Sequence, residues 1–354
     1  MTEQLPMDTL GMFAATASMP EQIAAGVQAA SESGAAARID DPDAITSVLV
    51  LGMGGSGLVG DFLAVTAGPF MSLPVVVVKN YVPPSYVDRR TLVLAVSFSG
   101  ETEETLSAAG IAAERGGQMV AVCTGGRLRA LAETWDAPVL PVDPAIPMPR
   151  AGFAAMASPV LALLEDLGFF PGASEWLARA AEQLRLRRSQ LSEASNPALR
   201  LAREVAGTIP VVYGPGGIGE VAARRWKAQF NENAKTPAFS AGLPEMTHNE
   251  IAGWGTYDEL TAPSFSAVQL RHDFEPPQVA ATFDFLDELL SDAVREVYEV
   301  RAGGEGPIAQ IMDLMLFGDF VSLHLAALRG VDPGPIPAIA ELKEALGATG
   351  GAAP

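Results

Sequence analysis

The chain has 354 residues, with 23 Lys and Arg against 42 Asp and Glu, and a formal net charge of −19 at pH 7. That length buries a large core in two domains or one long α/β domain, and 49% hydrophobic with 18% charged residues excludes a disordered chain. The acid excess excludes a general nucleic-acid binder and a polybasic membrane anchor, and the single cysteine, Cys123, excludes a disulfide framework and a multi-cysteine metal site.

The N-terminal MTEQLPMDTL has neither a positive nor an apolar leader segment, so the expectation is a cytoplasmic protein. Pro6 to Ile39 is alanine-rich and reads as one or two helices. ITSVLVLGMGGSGLVGDFLA then gives a buried strand, a glycine turn and a helix start. The short apolar runs Leu73–Asn80, Thr91–Phe98 and Met119–Thr124 fit strands covered on both faces, as in a parallel sheet. With the helical ETEETLSAAGIAAERGG between two of them, the first half reads as a doubly wound α/β domain. PVDPAIPMPR closes it near Arg150.

Gly152 to Ala206 is helical again, and ASEWLARAAEQLRLRRSQLSEA is long with a charged, solvent-facing side. At Ile209 a strand, a glycine turn and a helix return. VLVLGMGGSGLVGDFL set beside PVVYGPGGIGEVAARR predicts an internal duplication. Further strands are expected at Ser264–Arg271 and Val294–Val300, then helices to Leu346 and a frayed tail from Gly347. The apolar stretch Ile308–Gly330 carries Asp313, Asp319 and His324, which make it a core helix rather than a membrane span. The expected division is 1–150 for the first domain with its leading helices, 151–206 for a helical linker, and 207–354 for the second domain.

A Gly-x-Gly-Gly-x-Gly turn between strand and helix aims backbone N–H groups at an anion. A dinucleotide fold uses nearly the same glycines, but the second strand ends in Lys79 and Asn80 rather than an acid. The loop after the third strand, SFSGET, clusters Ser97, Ser99 and Thr102 ahead of a helix. With Ser56 in the first glycine loop, these hydroxyls suit a phosphate monoester. As an ordinary alternative, Ser99 caps a helix beginning near Glu101.

GMGGSG followed by SFSGETEETL resembles the sugar isomerase (SIS) domain family, and the duplication resembles its two-domain members. NENAK (Asn231–Lys235), PEMTHNEIAGW (Pro244–Trp254) and LRGVDPGPIPAIAELK (Leu328–Lys343) are similar to the bifunctional phosphoglucose/phosphomannose isomerases of archaea and bacteria. The resemblance implies two tandem SIS-type doubly wound parallel-sheet domains with flanking helices. It implies an aldose–ketose isomerase interconverting glucose 6-phosphate, and mannose 6-phosphate, with fructose 6-phosphate. Phosphate would rest on Ser56, Ser97, Ser99 and Thr102, with Gly54 and Gly55 in the substrate loop. Glu232 would shuttle the C2/C1 proton, Arg150 would steady the enediolate, and His248 and Lys343 would open the ring. A homodimer with the active site at the subunit interface is implied, His248 entering from the partner; no cofactor and no metal are expected.

The chemistry fits these residue types. A positioned carboxylate can take a proton from one carbon and return it to the next, imidazole titrates near neutrality, and a fixed cation favours the enediolate over the substrate. On their own residues, Glu232 reads as a surface carboxylate at a helix end, His248 as part of a helix start, and Lys343 as a surface lysine. His324 reads as a packing residue and His272 as a surface turn residue. Two departures from the family stand out. Glu101 replaces a common asparagine, which motivates the alternative of a catalytically inactive sugar-phosphate sensor. The threonine that the family associates with mannose 6-phosphate is absent from Val331–Lys343. A nicotinamide-dependent enzyme is the third reading, resting on the glycine loops alone.

Overall fold

The computed structural model describes residues 7–349, without the side chains of residue 343 and residues 346–349. Helices α1 (Met12–Ala17) and α2 (Met19–Ser33) precede β1 (Ser47–Leu51), α3 (Gly54–Thr66), β2 (Val75–Val78), β3 (Thr91–Val96), α4 (Glu103–Glu114), β4 (Gln118–Cys123), α5 (Gly126–Thr134) and β5 (Val139–Pro141). Helices α6 (Phe153–Asp166), α7 (Ala173–Leu191) and α8 (Pro197–Glu204) follow. Then come β6 (Ile209–Pro215), α9 (Ile218–Glu232), β7 (Phe239–Leu243), α10 (Asp258–Ser264), β8 (Phe265–Arg271), α11 (Pro277–Leu290), β9 (Val297–Arg301), α12 (Pro307–Arg329) and α13 (Pro337–Thr349).

All strand pairs are parallel, in a five-stranded sheet of order β2-β1-β3-β4-β5 and a four-stranded sheet of order β7-β6-β8-β9. The register sets Leu49 beside Val93 in the first sheet and Val211 beside Ala267 in the second. In each sheet the order reverses between the first and third strands of its set, β1/β3 and β6/β8. Such switch points open a crevice at the carboxyl ends of the strands.

Period-two alternation explains the uninterrupted apolar runs. Val48, Val50, Leu92, Leu94, Val120 and Val122 face a core shared with helices of both halves, whereas Leu49, Leu51, Val93, Ala95 and Ala121 face α4 and α5. The second sheet divides likewise, with Val212, Val268 and Leu270 in the shared core and Val211, Tyr213 and Ala267 against α11. One continuous apolar core therefore joins the two sheets.

Helix α12 runs through that core. It is long and apolar enough to cross a bilayer, yet its most apolar window is 83% buried inside the fold, as its internal charges predict. Gly318 lets Trp226 lie against it: a Cβ there would sit 2.3 Å from the indole, which is held by Nε1 donating to the Leu314 carbonyl at 2.8 Å. Helix α8 starts where Asn196 caps it, Oδ1 accepting from Leu199 N–H at 2.8 Å, with Pro197 in the first turn.

The structure revises several expectations. Strands β5 and β7 were not anticipated, because one has three residues and the other, FSAGL, carries a glycine and a serine at a sheet edge. Helix α4 begins at Glu103 with Thr102 at its N-cap, so Ser99 does not cap it; Ser99 Oγ accepts from Glu101 N–H at 3.2 Å. His272 is buried, 6% exposed, because it directly follows β8 and lies against the first turn of α9. A Cβ on Gly219 would lie 3.2 Å from its ring. The frayed tail was expected from Gly347; α13 continues to Thr349, and residues 350–354 lie outside the described residues.

Candidate active site

The glycine loop after β1 reaches α3 through Gly54, whose φ of 51° is left-handed and costs glycine little. Met53 at the α3 N-cap and Thr102 at the α4 N-cap make no side-chain cap bond. Two helix N-termini with uncapped N–H groups therefore face the same β1/β3 crevice, the arrangement that attracts an anion. Ser56 sits in the first turn of α3, 6% exposed, and its Oγ accepts from Phe98 N–H at 3.2 Å, tying the two loops together. Ser97 is fully buried, with Oγ donating to Thr102 Oγ1 at 3.0 Å. Ser99 is exposed beside them.

Glu101, the residue placed to compete with a bound anion, turns away. It accepts from Arg127 N–H at 2.9 Å and from Arg127 Nε at 2.8 Å, and these hydrogen bonds hold its carboxyl below the usual range.

Arg150 lies in the short turn Pro149–Gly152 ahead of α6 and is buried, 3% exposed. Its Nε donates to Asn233 Oδ1 at 2.6 Å, and its Nη2 donates to the carbonyls of Gly334, at 2.6 Å, and of Pro333. Nη1 is buried with no hydrogen-bond partner and lies 3.6 Å from Glu232 Oε2. Burial pulls the Arg150 pKa down, opposed by the neighbouring Glu232 charge. Glu232 ends α9, and Lys235 Nζ donates to its carbonyl at 2.6 Å. A Cβ on Gly55 would meet the Arg150 backbone at 3.8 Å, so the glycine loop and the arginine share one cleft of about 140 Å³, lined by Gly54, Gly55, Lys79, Arg150, Gln229 and Glu232.

The fold thus brings Gly54, Gly55, Arg150 and Glu232 to one cleft, while Ser56, Ser97, Ser99 and Thr102 lie in the adjoining loops and do not line it. His248 is exposed, in the turn Glu245–His248, and does not line that cleft. Lys343 lies on α13, and its side chain falls outside the described residues. Sequence reasoning missed Lys79, which pairs with Asp61 at the cleft; only its position at the end of an apolar strand pointed to it. It also missed the buried group around Arg150. Arg225 makes a bidentate pair with Asp319 at 2.9 and 2.6 Å and donates to the Arg150 carbonyl at 2.8 Å. Among the described residues, no three His, Cys, Asp or Glu side chains gather as a metal site requires.

The second glycine loop is built differently. Ile218 stands where the first loop has Ser56, and α11 begins with Pro276 and Pro277, which offer no N–H. The donors left there are taken, since Glu275 accepts from His272 N–H at 2.7 Å and from Arg271 Nε at 3.0 Å.

Two parallel doubly wound sheets, with hydroxyls and helix N-termini at one switch point, define a double-SIS sugar-phosphate protein. Residues 44–133 match the SIS domain model, and residues 194–346 match the bacterial phospho-glucose isomerase C-terminal SIS domain. The fold is shared with tagatose-6-phosphate ketose/aldose isomerase of Escherichia coli at a TM-score of 0.70 and 17% identity, over 94% of this chain and 98% of that one. The C-terminal domain of glucosamine-fructose-6-phosphate aminotransferase of Francisella tularensis shares it at 0.65 and 15%, over 91% and 96%. A bifunctional phosphoglucose/phosphomannose isomerase of Caldicellulosiruptor bescii is 34% identical over 95% of this chain and 98% of its own length, and one of Aquifex aeolicus is 33% identical over 84% and 90%. The chain belongs to the bifunctional phosphoglucose/phosphomannose isomerase family.

Proposed function

We propose that the protein interconverts glucose 6-phosphate, and mannose 6-phosphate, with fructose 6-phosphate through an enediolate. The observation that carries this reading is the unpartnered Arg150 Nη1 beside Glu232 Oε2, in a cleft that adjoins the phosphate-type loop. The phosphate rests on Ser56, Ser97, Ser99, Thr102 and the N-termini of α3 and α4. Glu232 takes the proton from C2 as the C–H pair forms the C1–C2 double bond and the C1 carbonyl pair moves onto O1; a proton passes from O2 to O1, and Glu232 returns its proton to C1 as the C2 carbonyl forms. Arg150 Nη1 donates to the oxygen that gains charge, an interaction stronger in the transition state than in the substrate. The two C2 epimers can share Glu232 if the sugar rotates about C2–C3.

Ring opening is assigned to Lys343 and to His248 of a second copy, in a cytoplasmic homodimer with the site at the interface. The exposure of His248 in the single chain supports that arrangement. Mixing inactive His248→Ala and Glu232→Gln proteins tests it. Fructose 6-phosphate turnover recovered in the mixture supports an intersubunit site, and no recovery refutes it. Undiminished turnover by Glu232→Gln alone refutes the assigned base.

A further inference from the structure

A guanidinium carries five N–H donors, and those of Arg150 are divided unevenly. Nε serves Asn233 Oδ1, Nη2 serves the Pro333 and Gly334 carbonyls, and both Nη1 protons remain, buried and unpaired, on the side of Glu232. The fork can present Nη1 only while its opposite edge is held.

Asn233 holds one part of that edge, and its amide has a single workable orientation. Ser322 Oγ gives its proton to the Asp319 carbonyl at 2.7 Å, so towards Asn233 it can only accept. It accepts from Asn233 Nδ2 at 2.9 Å, which leaves Oδ1 turned to Arg150. Asn233 and Ser322 are fully buried and neither lines the cleft. Asn233 also directly follows Glu232, so the end of one helix places the base with one residue and aims the cation with the next.

We infer that Asn233, fixed by Ser322, is a positioning residue that keeps Arg150 Nη1 free for the oxyanion of the reaction. The inference rests on the isomerase reading above. It makes Asn233 matter to a ligand with an anionic, enediolate-like head and little to a ligand that shares only the phosphate and chain.

Calorimetric titration separates these ligands. D-arabinonohydroxamate 5-phosphate supplies a planar anionic head, and sorbitol 6-phosphate supplies neutral hydroxyls on the same phosphate-bearing chain. Asn233→Ala should weaken the hydroxamate about 10- to 100-fold, the range for a hydrogen bond to a charged group, and leave sorbitol 6-phosphate within about twofold. Ser322→Ala, a gentler change that frees the amide to turn, should weaken the hydroxamate about threefold or more with the same selectivity. Equal weakening of both ligands, a lower binding stoichiometry alone, or unchanged hydroxamate affinity in both variants would overturn the inference. Failure of the unaltered protein to bind either ligand would instead remove the isomerase reading on which it stands.

Discussion

Arg150 Nη1 and Glu232 Oε2 lie 3.6 Å apart, with the arginine side chain 4% exposed and the glutamate 30% exposed. The separation is too long for a hydrogen bond, so neither group is spent on the other. The cation is fixed at the back of the cleft and the carboxylate stands in front of it. The two form an open ion pair with no direct hydrogen bond to break.

Glu232→Gln keeps the shape and removes the proposed base. Fructose 6-phosphate turnover should fall by about 10²- to 10⁴-fold with KM little changed, and C2 proton exchange into deuterated water should fall in step, measured by proton NMR.

Arg150→Lys keeps the charge but not the fork. Lysine cannot serve Asn233, Pro333 and Gly334 and still present a donor towards Glu232. Turnover should drop by about 10²-fold or more, and each buried acceptor left unpaired should cost about 1–3 kcal/mol in denaturant unfolding.

Ser97→Ala and Glu101→Gln should differ sharply although they are four positions apart. Loss of the buried Ser97 hydroxyl should raise KM for fructose 6-phosphate about tenfold. Glu101 is engaged with Arg127 in an exposed pair, so its change should shift KM by less than about twofold. A large Glu101 effect would mean that the carboxylate reaches the phosphate after all.

Gly318→Ala should destabilise the fold without touching the cleft. The added methyl meets an indole anchored by its own hydrogen bond, an overpacking worth about 1–3 kcal/mol. Thermal unfolding should show the loss while KM stays unchanged.

Acid should weaken the fold through two histidines. Burial pushes the His324 pKa down to about 4 and also lowers that of His272. The unfolded chain therefore binds protons first, and stability that is complete above about pH 6.5 is lost as pH falls towards 4. For His324 the Arg203 charge adds to burial, and a local contact works in the same direction. Asn196 Oδ1 is committed to Leu199 N–H, so its amide Nδ2 faces His324 Nε2 at 3.3 Å as a donor, and a protonated ring would set donor against donor. With the ring partly exposed, the contribution is about 1–2 kcal/mol. His324→Gln should flatten the Tm profile between pH 7 and 5.

The parts legible in the sequence were those with a local signature. The alternating buried faces of Val48–Leu51 and Leu92–Val96 reduce to apolar runs, and the hydroxyls of Ser56, Ser97, Ser99 and Thr102 lie within two short loops. The family resemblance then singled out Glu232 and Arg150, which local context alone left ambiguous. What stayed hidden depends on distant segments meeting. Asn233, Arg225, Asp319 and Ser322 look like ordinary polar positions on helices until α9 and α12 pack against each other. His272 looked exposed because only the three-dimensional position of α9 covers it.

The duplicated halves use equivalent helices at opposite ends. Helix α3 turns its N-terminus, with Ser56, towards the crevice, whereas α9 turns its C-terminus, with Glu232, towards the cleft. On the proposed function the two halves act as a handle and a blade, and neither can replace the other. In the second half Ile218 brings no hydroxyl, and the donors of Arg271 and His272 ahead of α11 are taken by Glu275, so on the proposed function changes there answer to stability while the same changes in the first half answer to catalysis. The proposed function thus gives the chain one phosphate seat from two glycine turns of the same sequence pattern.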